Sequence, residues 1–234
     1  ERDPLVRFQN RFYFTIATIG GLLLPLGLGF AFGDPWGGIV IGGLLRIMTL
    51  YQATFCVNSV AHYFGSQPYS DKDTSRDSVV TAIVSLGEGY HNYHHTFPFD
   101  FRNGIRAWHY DPSKWLINLL SLVGLAKNLI RVPREMILRA RLRMQERRAT
   151  ARFADRPQVA ELLRAYRERV EKLHDRWVAA KAQYVELKAR LDRSSHEAYE
   201  KLKREIADAK RSFGDAYETW FRALRSPEIL AISP

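Results

Sequence analysis

The chain has 234 residues and a net charge of +10, and its mean hydropathy of −0.27 averages over two unlike halves. A single cysteine, Cys56, excludes a disulfide within the chain and reads as a small core residue. Nucleic acid is a poor account of the positive charge, because the basic residues follow two apolar runs, where anionic lipid headgroups are the expected partner.

In chain order, residues 12–32 (FYFTIATIGGLLLPLGLGFAF) form an uncharged apolar run. At ~1.5 Å per residue it is long enough to cross a hydrocarbon layer of ~30 Å. A second run, 36–63, is interrupted only by Arg46 and holds a second predicted span over 39–63, with the tight reversal GDPWGG between the two. The pair predicts a transmembrane hairpin. The first span lacks a signal-peptide cleavage site, and the chain opens at Glu1 without an initiator methionine, so an upstream portion is expected. Arg2, Arg7 and Arg11 precede the first span, and Lys127, Arg131, Arg134, Arg139, Arg141, Arg143, Arg147, Arg148 and Arg152 follow the second. By the positive-inside rule both ends are expected to be cytoplasmic, in a multi-pass protein. Arg46 is costly in an apolar span and is expected to face the bundle or a polar cavity.

Residues 64–78 read as a polar loop, and 79–95 as one helix carrying histidines near its end. SKWLINLLSLVGLA (113–126) is short for a span and suits an interfacial or re-entrant helix, with Trp108 and Trp115 near the headgroups. Residues 131–157 read as a basic juxtamembrane helix or linker.

Beyond Pro157 a heptad stripe begins: Val159, Leu163, Tyr166, Val170, Leu173, Trp177, Ala180, Tyr184, Leu187, Leu191. A second stripe, Tyr199, Leu202, Ile206, Ala209, Phe213, Ala216, Trp220, is out of phase with it, and the break falls at Asp192–Ser195. Ser194 and Glu197 have capping-box spacing. An antiparallel hairpin over 158–225 is therefore expected, rather than one long helix with a stutter through Ser195. His174 and His196 sit singly among charges and are expected to be exposed. The tail is free to pair with another copy or to dock a redox partner.

His91, His94 and His95 are spaced i, i+3, i+4, so on a helix their imidazoles share one face. His62 ends the second span four residues after Asn58, on the same predicted side of the membrane, and is the natural fourth imidazole. An all-imidazole set suits iron, copper or zinc alike. The His-Glu-x-x-His arrangement of zinc hydrolases is absent, although Glu88 is near.

NSVAH (58–62), GEGYHNYHHTFPFDFRNG (87–104) and AWHYDPSKWLI (107–117), with ERDPLVRFQ and GGLLRI, resemble the C-terminal half of the integral-membrane acyl-CoA desaturases that act at carbon 9 of a saturated acyl chain. The resemblance covers about residues 1–130. It implies an all-α membrane helical bundle with a cytoplasmic cap and two irons held by nine histidines. His91, His94 and His95 would be the last histidine box and His62 the isolated ligand, with Asn58 holding an iron-bound water. Five ligands have no counterpart here, so the chain would be an inactive fragment on its own. The family reads TWLVNS where this chain has TFCVNS; Thr54 and Phe55 are expected to line the bend of the acyl tunnel. Glu88 and Asp100 flank the box as candidate acceptors for imidazole N–H groups. The implied cofactors and partners are two iron ions, O2, a long-chain acyl-CoA, the lipid bilayer and an external cytochrome b5-, ferredoxin- or rubredoxin-like electron donor. The alternatives are another membrane di-iron lipid desaturase or hydroxylase, and a non-catalytic membrane-anchored coiled-coil protein.

Overall fold

A computed structural model describes residues 3–190 and 196–226, and among them every regular element is helical. Helix α1 (Pro4–Arg11) starts where Asp3 accepts the amides of Leu5 and Val6. Two helices long and apolar enough to cross a membrane follow, α2 (Tyr13–Ala31) and α3 (Pro35–Tyr63). Asp34 caps α3 by accepting the Gly37 amide at 2.8 Å, and Gly33 turns the chain with φ +80°.

The two spans touch backbone to backbone, because a Cβ on Gly38 would stand 2.5 Å from the Pro25 carbonyl and 2.7 Å from Gly29 Cα. Small residues permit such an approach where lipid supplies no hydrophobic drive between helices. Arg46 is placed as expected, against the bundle: its Nη2 donates to the Gly20 carbonyl at 2.9 Å, where α2 is locally π-helical over Ile19–Leu23. The partner is structural.

The predicted helix over 79–95 is broken. It divides into α4 (Val79–Val84) and α5 (His91–Thr96), separated by residues that a helix does not tolerate. Leu86 and Gly87 both have positive φ, 55° and 107°. Gly89 lies so close to α4 that a Cβ would meet the Ala82 amide nitrogen at 2.0 Å. The turn lets Gly89 accept from the Ser78 amide and brings α5 back under the 64–78 loop, which is pinned by antiparallel bridges Ser66–Asp77 and Asp77–Tyr90.

Helix α6 (Pro112–Leu122) begins at Asp111, a buried carboxylate that accepts the amides of Asn103, Gly104 and Lys114 at 2.9 Å each. Lys114 is buried too, and its ammonium is satisfied by the carbonyls of Gly104 and Arg106.

Helices α7 (Arg134–Arg152), α8 (Pro157–Arg190) and α9 (His196–Arg225) close the chain. The α8 and α9 seams meet antiparallel: Tyr184 lies against Tyr199, and Trp177 stacks on Phe213 at 5.7 Å. The break at Asp192–Ser195, with Leu191 and the Ser194–Glu197 cap, lies outside the described residues and side chains. The basic helix is no mere linker, because Leu142 and Ala149 of α7 join Leu163, Val170, Ala216 and Trp220 in one core. Trp220 donates its indole N–H to Gln145 at 2.9 Å. His174, expected at the surface, is buried at 7% exposure against Trp177 and Phe213. It lies beside the heptad seam, and aromatic neighbours from both helices cover it. The same expectation for His196 concerns a side chain outside the described ones.

Candidate metal centre

Helix α5 is one and a half turns long, and His91, Asn92 and Tyr93 at its start are buried. Its imidazoles meet the end of α3. His91 Nε2 lies 3.0 Å from His62 Nε2, and the ring of His95 stands 4.3 Å from that of His91 and 5.4 Å from that of His62. Ligand nitrogens of His62, His91 and His95 all fall within 4.8 Å of one another. Imidazole nitrogens bound tetrahedrally to one ion at ~2.1 Å stand ~3.4 Å apart, so the rings must close by up to about an ångström to coordinate.

Burial, and then the neighbouring imidazoles of His95, His62 and His94, push the His91 pKa down to about 4. His91 is therefore neutral at pH 7, with a lone pair free to bind a cation. The donor set fits a divalent first-row metal, with no thiolate near.

His94 stands apart, its ring 6.1 Å from that of His91 and 6.0 Å from that of His95. It borders a small cavity with Thr54, Asn58, Glu88, His91 and Asn103. Asn58 donates to the Thr54 carbonyl at 3.3 Å, which leaves its amide oxygen without a partner among the described residues. Phe55 does not border this cavity; it is 58% exposed and stacks along Tyr51 at 6.4 Å. Thr54 faces the histidines and Phe55 the outside.

Among the described residues, Asp100 meets no imidazole. Its buried carboxylate accepts from the Tyr93 hydroxyl at 2.7 Å, from Arg102 at 2.7 and 2.9 Å, and from the Val132 amide at 2.9 Å. Burial alone would raise its pKa, but these hydrogen bonds prevail and hold it at about 2. Asp100 thus ties α5 to the strand of chain entering α7. Glu88 borders the cavity, exposed, with no imidazole bond among the described residues.

The acceptors that do reach imidazoles come from the polar loop, which carried no motif. Asp73 Oδ2 lies 3.2 Å from His95 Nδ1, and Thr74 Oγ1 2.9 Å from His62 Nδ1. A polar residue between Gly65 and the box was the only signal available, and it does not tell one loop carboxylate from another. Asn92, inside the box, was also missed. Its side chain is fully used, accepting the amides of Tyr69 and Ser70 and donating to the carbonyls of Ser70 and Ser75.

Comparison with known proteins identifies the family. Residues 2–118, half of the chain, match the fatty acid desaturase family. The chain is 43% identical over 153 residues to acyl-CoA desaturase 1 of Saccharomyces cerevisiae, covering 65% of this chain and 30% of that protein. It is 48% identical over 132 residues to a probable acyl-CoA desaturase of Schizosaccharomyces pombe, covering 56% and 28%. Stearoyl-CoA desaturase 5 of Bos taurus is 34% identical over 137 residues, 58% of this chain and 41% of that protein. The chain therefore spans well under half the length of these three relatives.

Proposed function

Because the chain belongs to the fatty acid desaturase family, we propose that it is the part of an acyl-CoA desaturase that supplies His62, His91, His94 and His95 to a two-iron centre. The observation that carries this reading is the meeting of His62 with His91 and His95 from helices separated by a broken loop. Histidines at such a distance in sequence do not converge through helical periodicity. His62, His91 and His95 would hold one iron, and His94 would face a second, with Asn58 orienting water there. The remaining imidazoles would come from polypeptide outside these 234 residues, in keeping with the length of the relatives.

The reaction removes one hydrogen from each of two adjacent methylenes, taken to be carbons 9 and 10 of a long-chain acyl-CoA. O2 takes up those two hydrogens, two electrons from an external donor and two protons, and leaves as two waters. Iron held by these histidines would supply the oxidising power that an unactivated C–H bond demands. Of the protein's own residues, His91 presents a neutral imidazole, Thr54 lies beside it, and buried His91 and Tyr93 shield that side of the site from bulk water. Two apolar spans, with basic residues before α2 and after α3, support a multi-pass topology with the histidines on the cytoplasmic side.

The test is expression of the longest natural polypeptide containing these residues in yeast lacking its own acyl-CoA desaturase. Fatty acids with a cis double bond at carbon 9 are expected. They should be absent for the 234-residue chain alone and for a His91→Ala variant. No unsaturated product from the long polypeptide, or turnover by the short chain, would contradict the reading.

A further inference from the structure

We propose that Asp73 and Thr74 are positioning residues for the metal centre, each accepting the Nδ1 proton of one ligand imidazole, His95 and His62 respectively, so that Nε2 faces the metal. The proposal rests on the metal-binding reading of His62, His91 and His95. A neutral imidazole carries one proton on two nitrogens, and a hydrogen bond to one of them decides which nitrogen is left to bind a cation. Asp73 as a carboxylate only accepts, so the 3.2 Å contact with His95 Nδ1 requires the proton to sit there. Thr74 Oγ1 lies 2.9 Å from His62 Nδ1, and its hydroxyl, which can accept or donate, is assigned here as the acceptor. In the 3.0 Å contact between His62 Nε2 and His91 Nε2 either ring can donate; with His62 protonated at Nδ1, His91 is the donor in the metal-free chain, and that proton is the one a bound metal would displace.

The two acceptors are fixed by contacts that do not involve the imidazoles. Asp73 has its Oδ1 occupied by the amide and hydroxyl of Ser75, which leaves Oδ2 for His95. The main chain on either side is fastened to Asn92, whose amide bridges residues 69, 70 and 75. From outside, α7 clamps the same loop: Arg147 reaches Asp71 at 2.6 Å and Arg148 the Gln67 carbonyl at 2.6 Å. A segment held this way presents its acceptors at a preset place, so the rings are oriented before a metal arrives.

The test uses the 234-residue chain in detergent, labelled with 15N-histidine and observed at pH 8 through two-bond 1H–15N spectra. His62 and His95 should be Nδ1–H tautomers in the wild type. Thr74→Val should return His62, and Asp73→Ala His95, to the Nε2–H form that imidazole prefers in water, and Thr74→Ser should restore the wild-type spectrum. A parallel titration with Co2+ should show affinity lowered about 10- to 100-fold in Thr74→Val and Asp73→Ala, with shifted visible bands. Nε2–H rings in the wild type, or tautomers unmoved by either substitution, would overturn the proposal whatever cobalt does. Proposed tautomers in a wild-type chain would support the positioning even where that chain binds no cobalt, and the metal reading would then fall only if the longest natural polypeptide containing these residues also bound none.

Discussion

Two carboxylates around the histidine box respond to acid in opposite senses. Asp100, held at about 2 by Arg102 and Tyr93, contributes stability that is present above its ordinary value of 3.8 and is lost as pH falls through 2. Asp77 is pushed up to about 6 by burial, which outweighs the hydrogen bond it accepts from the Tyr93 amide at 3.0 Å. Its ionised form therefore costs stability above pH 6, and that cost disappears as pH falls from 6 to below 4. His91, held near 4, gives the metal-free chain stability that is lost as pH falls from 6.5 to 4. At pH 7.5 we expect Asp100→Asn to lower stability by about 2–4 kcal/mol, because it leaves Arg102 without its buried counter-charge. Asp77→Asn should be neutral or stabilising by up to about 2 kcal/mol at pH 7.5, since the amide oxygen still accepts from Tyr93. Below pH 6 it should lose stability more steeply than wild type. Thermal melts in detergent from pH 4 to 8 check both; parallel profiles for wild type and Asp77→Asn would contradict the assignment. Neither role was legible in the sequence, because a residue's partners across a loop leave no periodic trace. Asp100 was singled out for its place beside the box, and the structure puts that place to a different use.

At the scale of elements, the helices long enough to show a repeat were legible, and the short ones were not. The spans declared themselves by length and lack of charge, and the tail by its heptads. The divided helix over 79–96 was read as one because Leu86, Gly87 and Gly89 offer no periodicity, and the requirement for positive φ and a missing Cβ shows only when Ala82 and Asp111 stand beside them. Gly89→Ala forces a Cβ into the α4 backbone, where no flexible side chain can yield. We expect it to cost more than about 3 kcal/mol and to separate α5 from α3. The measurement is the melt together with Co2+ affinity; an unchanged value for both would mean that the turn does not position the box. The basic helix α7 also went half-read. Its charged face was plain, but Leu142 and Ala149 serve a core supplied by residues far along the chain.

Taken whole, the molecule is a hairpin of apolar helices bearing a histidine-carrying cap, and one element joins that cap to the last two helices. Helix α7 presents Arg141, Arg147 and Arg148 to the loop over the histidines and Leu142 to the tail. Arg139 adds a bridge to Asp175 of α8 at 2.6 Å, exposed and weak by itself. The family model matches residues 2–118, and the likeness to the S. cerevisiae acyl-CoA desaturase extends over 153 residues, so family likeness takes in the hairpin, the cap and part of α7, while most of α8 and α9 is accounted for by its own packing. The most direct measurement is the metal content of the longest natural polypeptide containing these residues, purified from iron-replete cells, beside its His62→Ala, His91→Ala and His95→Ala variants. The account predicts about two irons per polypeptide in the wild type, a loss of at least one in each variant, and none lost in a His174→Gln control. Iron unchanged in all three variants would contradict it.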